Sequence, residues 1–377
     1  MSGGIAQLVA IGAQDAHIVG KPEVSFFRSN YKRHTNFAQT VERQVIQGNP
    51  AKNGMSTVRF ERKGDLLSYV YLAPNDGTKA LKYTPDQWVS KISKVELLIG
   101  GQVIDDQTST FSQFIAPTIL AQSLTKSKSG FAEAAHSKFY PLRFSFCENW
   151  QTAIPLISLQ YHDVEIRITW GAGIDTEKWE CYAHYVYLDT DERSVLAGTP
   201  QNMLITQTQR AIASQSRIQE INFNHPIKLL ASADGHDLTI AGDTNKLKLQ
   251  INGTDVTDFK YVDPHYTAIP AYYHTNASAP MSVVTTTAST LTTNLVSDLN
   301  AQTYTSVLAA DGDNKKFFLY PFCLDTSKLQ PTGSLNFSRI DSARIVSDNA
   351  IHEDDIYGVN YNILRIENGM GGLMYSN

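Results

Sequence analysis

The chain repeats itself, and that repetition limits its fold more than any other feature. Phe146-Cys147 is followed by Pro155, Ser158 and Leu159; Phe322-Cys323 is followed by Pro331, Ser334 and Leu335, each pair 176 residues apart. The same spacing links Tyr161 to Phe337, Val164 to Ile340, Tyr185 to Tyr361 and Leu188 to Leu364. A second block, Ser93 to Gly101 (SKVELLIGG), matches Asn245 to Gly253 (NKLKLQING) at a spacing of 152. Two ungapped blocks in the same order argue that one structural unit is built twice. The spacings differ by 24, so the second half should carry about 24 additional residues between its blocks. The uncharged, Thr-rich stretch Thr285 to Asn294 falls in that interval and reads as part of a long exposed loop.

The repeated unit reads as β. Val58 to Phe60, Leu66 to Leu72, Lys91 to Ile99, Phe139 to Cys147, Tyr161 to Trp170 and Tyr182 to Leu188 are alternating, β-branched or aromatic runs bounded by turn residues. Ile218 to Phe223, Lys246 to Ile251, Lys316 to Phe322, Ser334 to Val346 and Tyr357 to Ile366 continue the pattern. The best helix candidate, Ser109 to Ser123, is short. Strands at regular spacing with turns between them indicate an all-β sandwich or barrel. A length of 377 residues allows two such domains, each with its own core. The expected boundaries are an N-terminal arm at 1–24, a first domain at 25–198, a linker at 199–216 and a second domain at 217–377.

Composition excludes several classes. A net charge of −5 is not the basic excess that coating nucleic acid requires. The cluster Arg28, Lys32, Arg33 and His34 reads as a solvated or subunit-contacting segment. Charged residues make up 18%, below the roughly 25% usual for soluble proteins. A chain this sparsely charged has more surface to hide against copies of itself. The three cysteines, Cys147, Cys181 and Cys323, are widely spaced and odd in number, which argues against a disulfide framework. Met1 to Ala10 does not read as a signal peptide, and no apolar run reaches 18 residues.

Catalysis needs convergent groups, and no known constellation is present: no His-Glu-x-x-His, Cys-x-x-Cys, Gly-x-Ser-x-Gly or Walker-type loop. No cofactor and no metal are expected. His162-Asp163 and Asp263-Pro264-His265 read as surface or strand-end polar residues rather than ligands. Asp311-Gly312-Asp313-Asn314 reads as a turn, because it lacks the glycine and glutamate of a calcium loop. Three triplets fit the N-glycosylation pattern, and only Asn276 is a plausible exposed acceptor, since Asn336 falls in a strand and Asn252 in a tight turn.

The N-terminal segment carries a family resemblance. Gly3-Gly4-Ile5-Ala6-Gln7-Leu8-Val9-Ala10-Ile11-Gly12-Ala13-Gln14-Asp15 leads to Pro22-Glu23-Val24-Ser25-Phe26-Phe27 and then Tyr31-Lys32-Arg33-His34-Thr35-Asn36-Phe37. This resembles the opening of the major capsid proteins of nucleocytoplasmic large DNA viruses, the algal-virus branch in particular. Ile154 to His162, Tyr185 to Arg193, Gly333 to Asp341 and Asn360 to Leu373 agree with it. The resemblance spans the chain and is weakest over Ala271 to Lys315.

It implies a double jelly-roll, two tandem eight-stranded rolls with short helices in loops. It also implies a homotrimer whose six rolls approximate a hexagon and tile an icosahedral virion shell. Strands would stand normal to the shell, with Ala271 to Lys315 a crown loop of the second roll. The arm would lie on the inner face, with Gln7, Gln14, Phe26, Phe27, Tyr31, Arg33 and His34 as assembly candidates. Implied partners are further copies of the chain, neighbouring capsomers, minor capsid and penton proteins and a nearby internal membrane. No direct genome contact is implied, and assembly would occur in the host cytoplasm. Gly369 to Gly372 and Gly3-Gly4 are expected to thread between subunits. Other readings stay open at this point: a minor capsid or penton-like protein, a glycan-binding sandwich with an exposed aromatic platform, or a hydrolase on the same scaffold.

Overall fold

The computed structural model describes residues 9–10, 12–122, 126, 138–233, 238–242, 244–275 and 317–375. The chain divides into two units, Met1–Asn36 and Phe37–Asn377. Within the first, the described backbone forms one helical turn, Ala16–Val19, preceded by the Asp15 carboxylate accepting the Gly12 N–H at 2.7 Å. The arm expected at 1–24 lies within the first unit, and the first strand of the larger unit begins at Phe37.

The larger unit holds two sandwiches of the same design. In the first, the strands are β1 (Phe37–Gln44), β2 (Met55–Arg59), β3 (Leu66–Asn75), β4 (Ile92–Ile99), β5 (Gln102–Thr108), β6 (Tyr140–Pro141), β7 (Val164–Trp170) and β8 (Lys178–Leu188). β1 pairs with β8, β2 with β7, β3 with β6 and β4 with β5, all antiparallel. Pairings of β3 with β8 and β4 with β7 close the two sheets, ordered β1-β8-β3-β6 and β2-β7-β4-β5. This is a long hairpin rolled on itself, the jelly-roll arrangement. Inward positions alternate along each strand, as in β7, where Val164, Ile166, Ile168 and Trp170 are buried.

The second sandwich repeats this with β9 (Gln201–Ala211), β10 (Ile218–Glu220), β11 (Pro226–Ser232), β12 (Lys246–Ile251), β13 (Thr254–Asp255), β14 (Phe318–Pro321), β15 (Ala343–Ser347) and β16 (Ile356–Glu367). The sheets are ordered β9-β16-β11-β14 and β10-β15-β12-β13, strand for strand the order of the first roll. The expected linker at 199–216 is therefore not a linker. Residues 201–211 are a full-length strand paired with β16 from Gln201 opposite Ile366 to Ala211 opposite Ile356. Its sequence, QNMLITQTQRA, is too polar to announce itself as a strand.

The hairpins fix how the rolls correspond. β4 turns into β5 through Gly100-Gly101 and β12 into β13 through Asn252-Gly253, with Ile99 opposite Gln102 and Ile251 opposite Thr254. All four turn residues have positive φ (58°, 82°, 50° and 77°), as a two-residue hairpin matching the strand twist requires. The 152-residue block is thus a true structural repeat. The 176-residue block is slipped. Ile99 faces Val164 and Ile251 faces Ala343, so Val164 corresponds to Ala343 and not to Ile340. Pro155 lies against Leu66 and Asn336 against Pro226, so Pro155 corresponds to Asn336 and not to Pro331. The surplus of the second half falls between β13 and β14, in the interval to which the sequence assigned it.

The predicted helix forms as a π-helical turn, Phe111–Ile115, running into Ala116–Ile119. The expected strand at Phe139 to Cys147 pairs only at Tyr140–Pro141 and then turns into a helical segment, Ser145–Glu148. Ser334 to Val346 is interrupted, with pairing at Leu335–Asn336 and Ala343–Ser347 around a 3-10 turn at Phe337–Arg339.

The rolls are welded in three places. Phe111, Ile115, Ala116 and Ile119, from the loop after β5, form a core with Leu229, Ala231, Leu319, Tyr357 and Val359 on the outer face of the second roll's sheet. β5 lies beside β9 through a buried polar set. The Asp105 carboxylate accepts the Thr208 N–H at 2.8 Å and the Gln107 amide at 2.9 Å, and the Gln207 amide donates to the Ile104 carbonyl. Finally β17 (Met370–Leu373) pairs with β16, and the tail bonds to the first roll: the Tyr161 N–H donates to the Gly369 carbonyl at 2.9 Å and the Leu373 N–H to the Gln102 side chain at 3.3 Å. Gly369 to Gly372 therefore tie the two rolls of one chain together. A Cβ on Gly371 would sit 2.7 Å from the buried Leu159 side chain, and Gly369 has φ +79° with the Tyr161 ring equally close.

Two outcomes follow. Gly369→Ala forces an L-residue into left-handed backbone and should cost about 1–2 kcal/mol, read as a lower urea midpoint. Burial pushes the Asp105 carboxyl up to about 8, despite the donors from Thr208, Gln107 and Asp106. Its folded pKa lies above its unfolded one, so its contribution is complete below the ordinary carboxylate range and lost as pH rises through about 8. Thermal melts across that window should fall for the native chain and fall less for Asp105→Asn; identical slopes would show that the carboxyl is not buried as described.

Candidate functional site

The polar candidates resolve into structural contacts. Asp163 pairs with Arg59 and, at 3.4 Å, with Arg62, and the His162 ring Nδ1 lies 2.8 Å from the Gly371 carbonyl. Arg59, Arg62 and Asp163 line an open cleft of about 630 Å³ that also includes Val45, Glu61 and Tyr161. Its charges already face one another at an exposed surface, where such pairs contribute little. The Asp263 carboxylate accepts the Thr267 hydroxyl at 2.7 Å. Among the described residues no group of three or more His, Cys, Asp and Glu side chains could hold a metal ion. Gln7, Asn276 and Asp311 to Asn314 lie outside the described residues.

Apolar surface is the more informative feature. Phe26, Phe27 and Tyr31 in the arm unit are 92%, 101% and 89% exposed, and Gln14, Arg33 and His34 are exposed as well. Three aromatic rings left this bare within six residues are unusual for an isolated soluble chain and fit an interaction segment.

Two further surfaces escaped the sequence. On the outer face of the first roll's sheet, Tyr71 stacks on Tyr182 at 5.3 Å and Tyr69 on His184 at 4.4 Å. Phe139 packs edge-on to Tyr71 at 5.5 Å. Core positions Leu67, Val70 and Leu72 alternate with these rings, so β3 is apolar on both faces. Such a strand is normally covered on both faces. The signal was present in the Leu66 to Leu72 run, where Tyr69 and Tyr71 occupy the positions a one-sided strand gives to polar residues.

The second is Ala268–His274, a helix after the fifth strand of the second roll. Pro270 and Ala271 face its own roll, while Tyr272 and Tyr273 are 80% and 72% exposed with their rings edge to face at 4.9 Å. Within the expected crown loop Ala271 to Lys315, residues 271–274 belong to this helix, and residues 276–316 lie outside the described set.

These aromatic surfaces suit burial against protein. Two family models match in tandem. "Major capsid protein N-terminus" covers residues 25–189, and "Large eukaryotic DNA virus major capsid protein" covers residues 192–372. A major capsid protein of Pyramimonas orientalis virus is 33% identical over the full length of both chains. That of Paramecium bursaria Chlorella virus 1 is 29% identical, again over both full lengths. The fold matches the crystal structure of the VP54 protein of PBCV-1 with a TM-score of 0.69 at 23% identity, covering 94% of this chain and 100% of that one. The chain belongs to the major capsid proteins of large eukaryotic DNA viruses and folds as their double jelly-roll.

Proposed function

We propose that the chain is the repeating tile of an icosahedral virion shell, assembling as homotrimers into pseudo-hexagonal capsomers. The observation that carries this reading is the strand-for-strand identity of the two rolls. A chain with two equivalent rolls presents nearly the same profile twice, so three chains present it six times and can meet six neighbours on a lattice. A ring is the closed form of a head-to-tail contact, which is the kind the two rolls already make within one chain.

In this reading the protein works by burying surface, not by catalysis, and it needs no cofactor. The arm, with Phe26, Phe27 and Tyr31, reaches neighbouring capsomers or minor capsid and penton proteins on the inner side, near an internal membrane. The net charge of −5 fits a shell that does not touch the genome directly. The chain's place is the virion capsid, with assembly in the host cytoplasm.

Light scattering on the full chain should return three times 41.8 kDa, stable to dilution; a monomer that persists at high concentration would sink the reading. Replacing Phe26, Phe27 and Tyr31 together by Ser should leave that mass and the melting temperature unchanged. Electron micrographs should then show capsomers that no longer join into sheets or shells. Normal shells from the triple variant would remove the arm from assembly.

A further inference from the structure

The contact between the rolls of one chain is a template for a contact between chains. The helix Phe111–Ile119 lies between the fifth and sixth strands of the first roll, tied to the sixth by the Ser109 and Tyr140 hydroxyls at 3.0 Å. It covers Leu229, Ala231, Tyr357 and Val359 on the next roll's outer sheet face. Its own residues are buried almost throughout as a result.

Each half of this contact has a counterpart without a cover. Tyr71 faces Tyr182 across β3 and β8, as Ala231 faces Tyr357 across β11 and β16. Tyr69 and His184 sit at the break in the first ladder where Leu229 and Val359 sit in the second. The outer face of the first roll is thus the same surface as the one the helix covers on the second, with aromatic rings instead of aliphatic groups. Ala268–His274 likewise lies between the fifth and sixth strands of its roll, held to the sixth by the Leu319 N–H donating to the Tyr266 carbonyl at 2.8 Å. Its outward side chains, Ile269, Tyr272 and Tyr273, are 39%, 80% and 72% exposed.

We propose that Ala268–His274 of one chain packs on the Tyr69, Tyr71 and Tyr182 face of a second copy. The second roll of each chain then covers the first roll of the next, as the first covers the second within a chain. The occupant is a second copy because, among the described residues, the precedent for covering this face is the equivalent helix of the adjoining roll. The proposal rests on the self-assembly reading above and adds the residues that make the contact. Half-exposed tyrosines suit such a seam. Their rings supply large contact area, and their hydroxyls keep the free surface wettable before assembly.

The test uses the full chain. Tyr272→Glu with Tyr273→Glu should leave far-ultraviolet circular dichroism and the melting transition intact, while light scattering drops from the trimer mass to the monomer mass. Tyr71→Arg should do the same from the other side. A second measurement does not depend on charge: Tyr69→Cys with Tyr273→Cys in one chain should give chain multiples on a non-reducing gel, while neither single cysteine does. A double-Glu variant that stays trimeric, with no crosslinked multiples from the cysteine pair, overturns the assignment and leaves self-assembly standing. A native chain that is monomeric overturns both. Binding of the native chain to a glycan array, lost in Tyr71→Ala, would assign the face to a carbohydrate and also overturn the proposal.

Discussion

The structure depends on one contact, the helix Phe111–Ile119 lying across the outer face of the second roll. A jelly-roll sheet with one wet face is self-sufficient. This one is apolar on both, with Ile227 and Leu230 facing its own core and Leu229 and Ala231 facing out. At about 1.5–3 kcal/mol for each large apolar side chain removed from water, leaving that outer face bare would consume much of a domain's stability. The two rolls are therefore a single cooperative body in energetic terms, although each has a complete strand set. The polar strut from Asp105 to Thr208 and the C-terminal strand β17 act around this contact, fixing the register at which the rolls meet. Buried hydrogen-bonded groups tolerate little sliding, because a shifted donor is left without its acceptor.

Much of this was legible in the residues, and the failures have physical causes. The Gly100-Gly101 and Asn252-Gly253 turns gave the repeat its true register, because positive-φ hairpins leave a residue-type signature that strands do not. The other block slipped by a few residues because strand interiors accept any apolar residue at alternate positions, so a displaced match looks as good as the correct one. β1 and β9 were missed for the opposite reason. Each is the outermost strand of its sheet, where half the side chains meet water and the sequence reads FAQTVERQ or QNMLITQTQRA.

The exposed aromatic surfaces are legible in the sequence only in part. The arm announced itself through family resemblance, and its bare rings agree with an interaction role. Tyr69, Tyr71 and Tyr182 look like ordinary strand residues in the sequence, because a linear sequence does not say which face of a two-sided strand is already covered. Tyr272 and Tyr273 were folded into a long loop, since a seven-residue helix with an internal proline gives little periodicity to detect.

The inter-roll contact also has a consequence for synthesis. The helix ending at Ile119 emerges from the ribosome well before Val359, the last strand residue it must cover. At roughly 5–20 residues per second, its apolar side is without its partner for on the order of tens of seconds. During that time the first roll is a nascent domain with an uncovered helix and an uncovered tyrosine face, and crowded polysomes put many such domains side by side. The length of that exposure is set by the number of residues between one helix and the sheet that receives it.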